Sequence, residues 1–162
     1  MKKLIAIGGL ALALMLTGCE ALFGPWVKYE DIYLGLPKVS SLVEAWSISS
    51  RVVYTLDGSK DTFKEPRDTY ATMKGDCEDI AALLLAILIN SELHTGYIAI
   101  INTGITLHAV VELDGVGGPL LEAQTVWGYW FGYPVVDRYS MQEYVEHRSL
   151  IEATIHEGDT CD

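Results

Sequence analysis

The sequence predicts an α+β domain, with helices first and a small antiparallel sheet second. Residues 80–89, Ile-Ala-Ala-Leu-Leu-Leu-Ala-Ile-Leu-Ile, are apolar on every side, which marks a helix covered all round by the rest of the domain. Two helical patterns precede this run, and three short β-type runs follow it, at residues 96–103, 107–113 and 120–125. The glycine-rich turn Asp114-Gly-Val-Gly-Gly-Pro119 between the last two runs favours an antiparallel hairpin. A central buried helix on a small antiparallel sheet is the expected architecture.

The elements follow in chain order. Met1-Lys2-Lys3, an apolar stretch over residues 4–16 and Leu16-Thr17-Gly18-Cys19 form a targeting segment, too short to span a bilayer. Its last four residues resemble the bacterial lipobox. That resemblance implies cleavage before Cys19 and lipidation of the cysteine, so residues 1–18 are the signal peptide and residues 19–39 the lipidated cysteine with its tether. Several acyl chains anchor where one is marginal. The protein is therefore expected outside the cytoplasm, lipid-anchored to a bacterial membrane at its periplasmic face or the cell surface. Glu20 to Pro37 reads as a tether lying partly along the domain surface, and residues 40–162 form the domain.

Ser41 and Glu44 form a capping-box pattern at the start of a helix expected to run through Val53 and Tyr54 and to stop at Leu56-Asp57-Gly58-Ser59. Residues 60–67 read as a polar loop, and Pro66 opens a short helix that reaches Met73. Gly75 ends what precedes the central helix, Asp76 is its expected N-cap with Asp79 three residues on, and its end is expected near Asn90 or Leu93. After the strands, Trp127-Gly-Tyr-Trp-Phe-Gly-Tyr-Pro134 concentrates five aromatic rings, expected mostly to cover the sheet edge, with a role at the rim of a groove as the alternative. A helical pattern closes the chain from Ser140 to about residue 155, with a final strand over residues 153–156 as the alternative.

The chain of 162 residues carries a net charge of −11, which becomes −13 once Lys2 and Lys3 leave with the leader. Such acidity argues against nucleic acid as a partner and against electrostatic attraction to anionic lipid. Of three cysteines, Cys19 is assigned to lipid, and Cys161 lies in the acidic tail as a free thiol, with a disulfide to Cys77 as the alternative. Cys77 falls in the first turn of the central helix, where free N–H groups and the dipole favour a thiolate and offer donors to an oxyanion. Asp76, Glu78 and Asp79 oppose that thiolate, so a cationic partner is required. Cys77 among charged residues also suits a nucleophile better than a packing position.

His108 lies in Leu107-His-Ala-Val-Val-Glu-Leu113, sharing a strand face with Val110 and Glu112. Glu122 sits in the next run. If the two runs pair, its carboxylate meets His108 Nδ1 and fixes the imidazole tautomer, with Gln124 on the same face as the alternative orienting group. His94, His147 and His156 have no partners visible in the sequence and are assigned surface or structural roles.

Gly75-Asp-Cys-Glu-Asp79 with its apolar helix, preceded by Pro66 and Thr69 and followed by His108-Ala-Val-Val-Glu112 and Leu121-Glu-Ala-Gln-Thr125, resembles the transglutaminase-like cysteine peptidase superfamily of bacteria. The resemblance covers roughly residues 43–125. It implies a papain-like fold with Cys77 as nucleophile, His108 as general base and then acid, and Glu122 as the orienting acid. Protein or peptide amides are the implied substrates, with cysteine peptidase activity favoured over transamidation. The family's usual third member is aspartate. A catalytically inactive lipoprotein that keeps the fold as a binding or structural module is the alternative. Some relatives bind calcium through acids flanking the cysteine, which casts Asp76 and Glu78 as ligands. The competing expectation is no cofactor, with Asp76 and Asp79 capping the helix and Glu78 in solvent. One cysteine and one histidine do not complete a zinc set. A monomer is assumed.

Overall fold

The computed structural model describes residues 32–56, 63–124 and 127–146. The expectations for the leader, Cys19, Cys161, His147 and His156 fall outside them. Among the described residues no helix is long and apolar enough to cross a membrane. Helix α1 spans Leu42–Ser49, strand β1 Val53–Tyr54, helix α2 Pro66–Thr72, strand β2 Lys74–Gly75 and the central helix α3 Cys77–Asn90. Then come β3 Gly96–Asn102, β4 Leu107–Leu113, β5 Leu120–Leu121, β6 Tyr129–Trp130, β7 Val135–Tyr139 and helix α4 Met141–Glu146.

The α+β expectation holds, with α3 as its centre. Every residue of α3 from Cys77 to Leu88 is buried, as an all-apolar helix requires. One side of the sheet, through Ile98, Ile100, Ala109, Val111 and Leu121, packs into the same core as α3. Ala99, Ile101, Val110 and Leu120 alternate with them and build a second cluster on the opposite face with Trp130 and Val135. The sheet order is β6-β5-β4-β3-β7, and all its pairings are antiparallel.

Three elements depart from the sequence reading. Helix α1 stops at Ser49, and Val53–Tyr54 instead pairs in parallel with Lys74–Gly75. Valine and tyrosine favour an extended backbone once a partner strand is present. Strand β5 ends at Leu121 instead of continuing to Thr125, because α1 draws the chain away: Trp46 Nε1 donates to the Glu122 carbonyl at 2.9 Å and Ser49 Oγ to that of Ala123 at 3.0 Å. Strands β6 and β7 were not anticipated; Val135 and Val136 after Pro134 carried the signal for β7.

The caps are partly as read. Ser41 Oγ accepts from the Glu44 N–H at 3.2 Å, but the Glu44 carboxylate returns to Ser40 instead of Ser41. Ser140 and Glu143 make the reciprocal pair at the start of α4. Asp76 is the N-cap of α3 by position but makes no side-chain cap bond.

Gly75 has a reason other than stopping a helix. A Cβ at this position would stand 2.6 Å from Asp79 Cβ and 2.9 Å from Asp79 Oδ2. Asp79 is wholly buried and held by Lys64, so it cannot yield. Gly75→Ala is expected to cost about 1–3 kcal/mol by overpacking, read as a lowered midpoint in thermal unfolding. An unchanged midpoint would mean that Asp79 moves freely.

Candidate active site

Cys77 opens α3, so the helix that anchors the core also fixes its sulfur. The site lies where β5 has peeled away from β4. There the backbone N–H of Ala109 faces the sulfur and favours its ionised form. The thiol itself donates to Glu78 Oε2 at 3.3 Å. Cys77 is 7% exposed, and its acidic neighbours are buried with it at 4% for Asp76, 2% for Glu78 and 0% for Asp79. The expectation of a cysteine held among solvated charges is thereby corrected. Burial pushes the Cys77 thiol well above its ordinary value, and the Glu78 and Asp76 carboxyls add to the rise, with only the Ala109 N–H opposing. The thiol is protonated at neutral pH.

His108 and Glu122 are joined. His108 Nε2 lies 2.9 Å from Glu122 Oε2, with both side chains largely shielded. The ring nitrogen engaged is Nε2 and not Nδ1 as expected, which leaves Nδ1 without a hydrogen-bond partner among the described residues. Gln124 does not replace the acid. Its backbone N–H donates to Glu122 Oε1 at 2.8 Å, and its side-chain Nε2 is buried without a partner. Burial raises the Glu122 carboxyl, but the His108, Gln124 and Trp130 donors outweigh it and hold the group below the usual carboxylate range.

Two of the three expected members are therefore in contact, and the third meets the strand one residue further on. Ala109 faces α3, whereas His108 belongs to the alternate face, where its ring lies 5.5 Å from that of Trp130. No hydrogen bond joins Cys77 to His108. Glu112, on the His108 face, is tied to Arg138 and to the Gly117 N–H and takes no part in the relay.

The carboxylates beside Cys77 are not helix caps. Asp79 accepts from the Lys64 backbone N–H at 2.8 Å and from Lys64 Nζ at 2.9 Å. Its carboxyl is raised to about 6, burial outweighing the help of Lys64. Glu78 is raised to about 10, first by burial and then by the close approach of the Asp76 carboxyl. The expectation of a solvated Glu78 is overturned, because the all-buried α3 carries its first turn inside with it.

The acids also bear on a metal. One oxygen from each of Asp76, Glu78 and Asp79 lies within 4.8 Å of the other two. Asp76 Oδ1 and Glu78 Oε1 are buried and have no hydrogen-bond partner. Orphaned hard oxygens at this spacing fit a cation such as calcium. Asp79 is already paired, so Asp76 and Glu78 are the residues that would hold it.

The five-ring run behaves differently from the expectation of a covered sheet edge. Trp127, Tyr129, Phe131 and Tyr133 are exposed, and only Trp130 turns inward. His94 is a surface residue paired with Asp114 at 3.0 Å.

No protein-family model matches the chain, and no curated protein matches it. Among solved structures, a candidate cysteine protease from Cytophaga hutchinsonii superposes with a TM-score of 0.47 at 18% identity, over 73% of this chain and 43% of its own. The chain thus spans less than half the length of that structure.

Proposed function

We propose that the chain is an extracytoplasmic lipoprotein, anchored through Cys19, in which Cys77, His108 and Glu122 perform acyl transfer on protein or peptide amides. Water is the acceptor, which makes the activity that of a transglutaminase-like cysteine peptidase. The observation that carries the reading is the shielded His108–Glu122 pair on the strand whose next residue, Ala109, turns its backbone N–H toward the Cys77 sulfur.

The chemistry follows from these groups. Glu122 accepts from Nε2–H, which leaves the Nδ1 lone pair as the base. For the proton to pass, the Cys77 thiol leaves Glu78 and the His108 ring swings from the Trp130 face round the edge of β4 to meet it, and Nδ1 then takes the thiol proton. The sulfur then forms a bond to the amide carbonyl carbon while N–H groups of the first turn of α3 hold the oxyanion. The C–N bond breaks and the amine leaves with the proton from His108. Water, deprotonated by His108, splits the thioester and restores the thiol. A divalent cation held by Asp76 and Glu78 would supply positive charge beside the sulfur.

One observation favours a second reading, the inactive module: the thiol is protonated and bonded to Glu78 instead of His108. Alkylation separates the two. With a working relay, iodoacetamide labels Cys77 at least about tenfold faster than Cys161 near neutral pH, and His108→Ala removes the difference. Equal, slow labelling at both cysteines, with or without added calcium, would establish the module.

A further inference from the structure

Glu122 has one more rotatable bond than the aspartate usual at this position, and it stands just past the end of β5, where its backbone N–H donates to the Gly128 carbonyl at 3.0 Å but nothing in the ladder orients its side chain. Yet its carboxylate is fixed on three sides. Oε1 takes the Gln124 N–H, a local bond that follows the chain wherever it goes. Oε2 takes two donors from different elements, His108 Nε2 at 2.9 Å and Trp130 Nε1 at 2.8 Å. Trp130 is on β6, in register with Leu120 on β5. Its ring packs on the second cluster and meets Tyr133 edge-on at 4.8 Å, so the indole donor is held by the sheet and not by the acid. It is also the one ring of its run turned away from solvent.

Resting on the reading of Cys77, His108 and Glu122 as an acyl-transfer site, we propose that Trp130 is a positioning residue of that site: its indole N–H fixes Glu122 against His108, and its ring stands against the imidazole at 5.5 Å, tilted by 57°. An indole N–H only donates. It therefore supports Glu122 as an acceptor-only carboxylate, which keeps the His108 proton on Nε2 and leaves Nδ1 free for the thiol. A hydroxyl in its place could donate or accept and would not impose that state. Trp46 grips the same residue from the other end, at its carbonyl, so Glu122 is held by indoles at both main chain and side chain.

The test uses the full chain and two readouts. Trp130→Phe keeps a ring and removes the donor. In nitrogen-15 spectra of the His108 ring, the wild type is expected to show the Nε2–H tautomer, and Trp130→Phe a shift toward a mixture of tautomers. Alkylation of Cys77 should slow by about tenfold, the weight of one hydrogen bond to a charged group, and Glu122→Gln combined with Trp130→Phe should be no slower than Glu122→Gln alone. If Trp130→Phe does not fold, the Trp130 indole proton resonance is followed instead, and Glu122→Gln should move it upfield. An unchanged His108 tautomer in Trp130→Phe, or an indole resonance indifferent to Glu122→Gln, overturns the proposal. A tautomer shift in Trp130→Phe with a wild-type Cys77 no faster than Cys161 upholds the positioning role and removes the peptidase reading instead.

Discussion

In the presence of a chelator, the folded protein is expected to become more stable as the pH is lowered from 8 to 5, the reverse of ordinary acid denaturation. The reason is the pair of buried carboxyls in the first turn of α3. Glu78 is raised to about 10 and Asp79 to about 6, both chiefly by burial. Over this range the folded protein binds more protons than the unfolded chain, in which both groups are ionised. The derivative of unfolding free energy with pH has the sign of protons bound unfolded minus folded, so here it is negative. Stability falls as pH rises from the unfolded values toward the folded ones. Glu78 alone gives a slope of about 1.4 kcal/mol per pH unit through neutrality, and Asp79 adds to it below about pH 6. Thermal unfolding from pH 8 to 5 measures the slope directly. Calcium should flatten it, since Asp76 and Glu78 would then be ionised and compensated in the fold. A midpoint that falls steadily with acid in chelator would mean that these carboxyls reach water.

The same two residues mark where the sequence stopped being legible. Periodicity identified α3 and its burial, and β-branched runs identified β3 and β4, because those signals are local. The direction of Glu78 was not local. A charged residue in a first turn ordinarily faces water, and only the packing of α2 and residues 63–65 around the start of α3 puts it inside. Lys64 was likewise invisible, since nothing in a polar loop announces a partner 15 residues away. His108 and Glu122 were found by type and order, but which imidazole nitrogen they share depended on β5 ending early, and that was decided by Trp46 and Ser49 reaching two carbonyls from α1. Trp130 lay in an aromatic run that was noticed as a group. An indole donor eight residues after the acid was the available hint, but choosing one ring of five needed the β5–β6 register.

The second large effect concerns Lys64, and its size should depend on which partner is removed. Asp79 is wholly shielded, whereas Lys64 keeps a quarter of its side chain in solvent. Lys64→Met leaves a buried carboxyl with only the backbone N–H of position 64 as its donor and no countercharge, while Asp79→Asn leaves an ammonium that needs only a rotamer change to be hydrated. The asymmetry follows from the rule that breaking a buried pair is costly when the remaining charge stays buried. Lys64→Met is expected to destabilise by about 3 kcal/mol at pH 8, and Asp79→Asn by about 1 kcal/mol or less. The carboxyl has an escape, because without Lys64 it protonates. The penalty of Lys64→Met should therefore shrink as pH falls toward 5, where Asp79 is protonated even in the wild type. Adding Asp79→Asn to Lys64→Met should recover most of the loss at pH 8, since no charge is then buried. Denaturant unfolding of the three variants at pH 8 and 5 in chelator checks each step. Equal losses for the two single variants, unchanged by pH, would show that Asp79 is hydrated in the folded protein, and the account of the α3 first turn as a closed acidic pocket would fail with it.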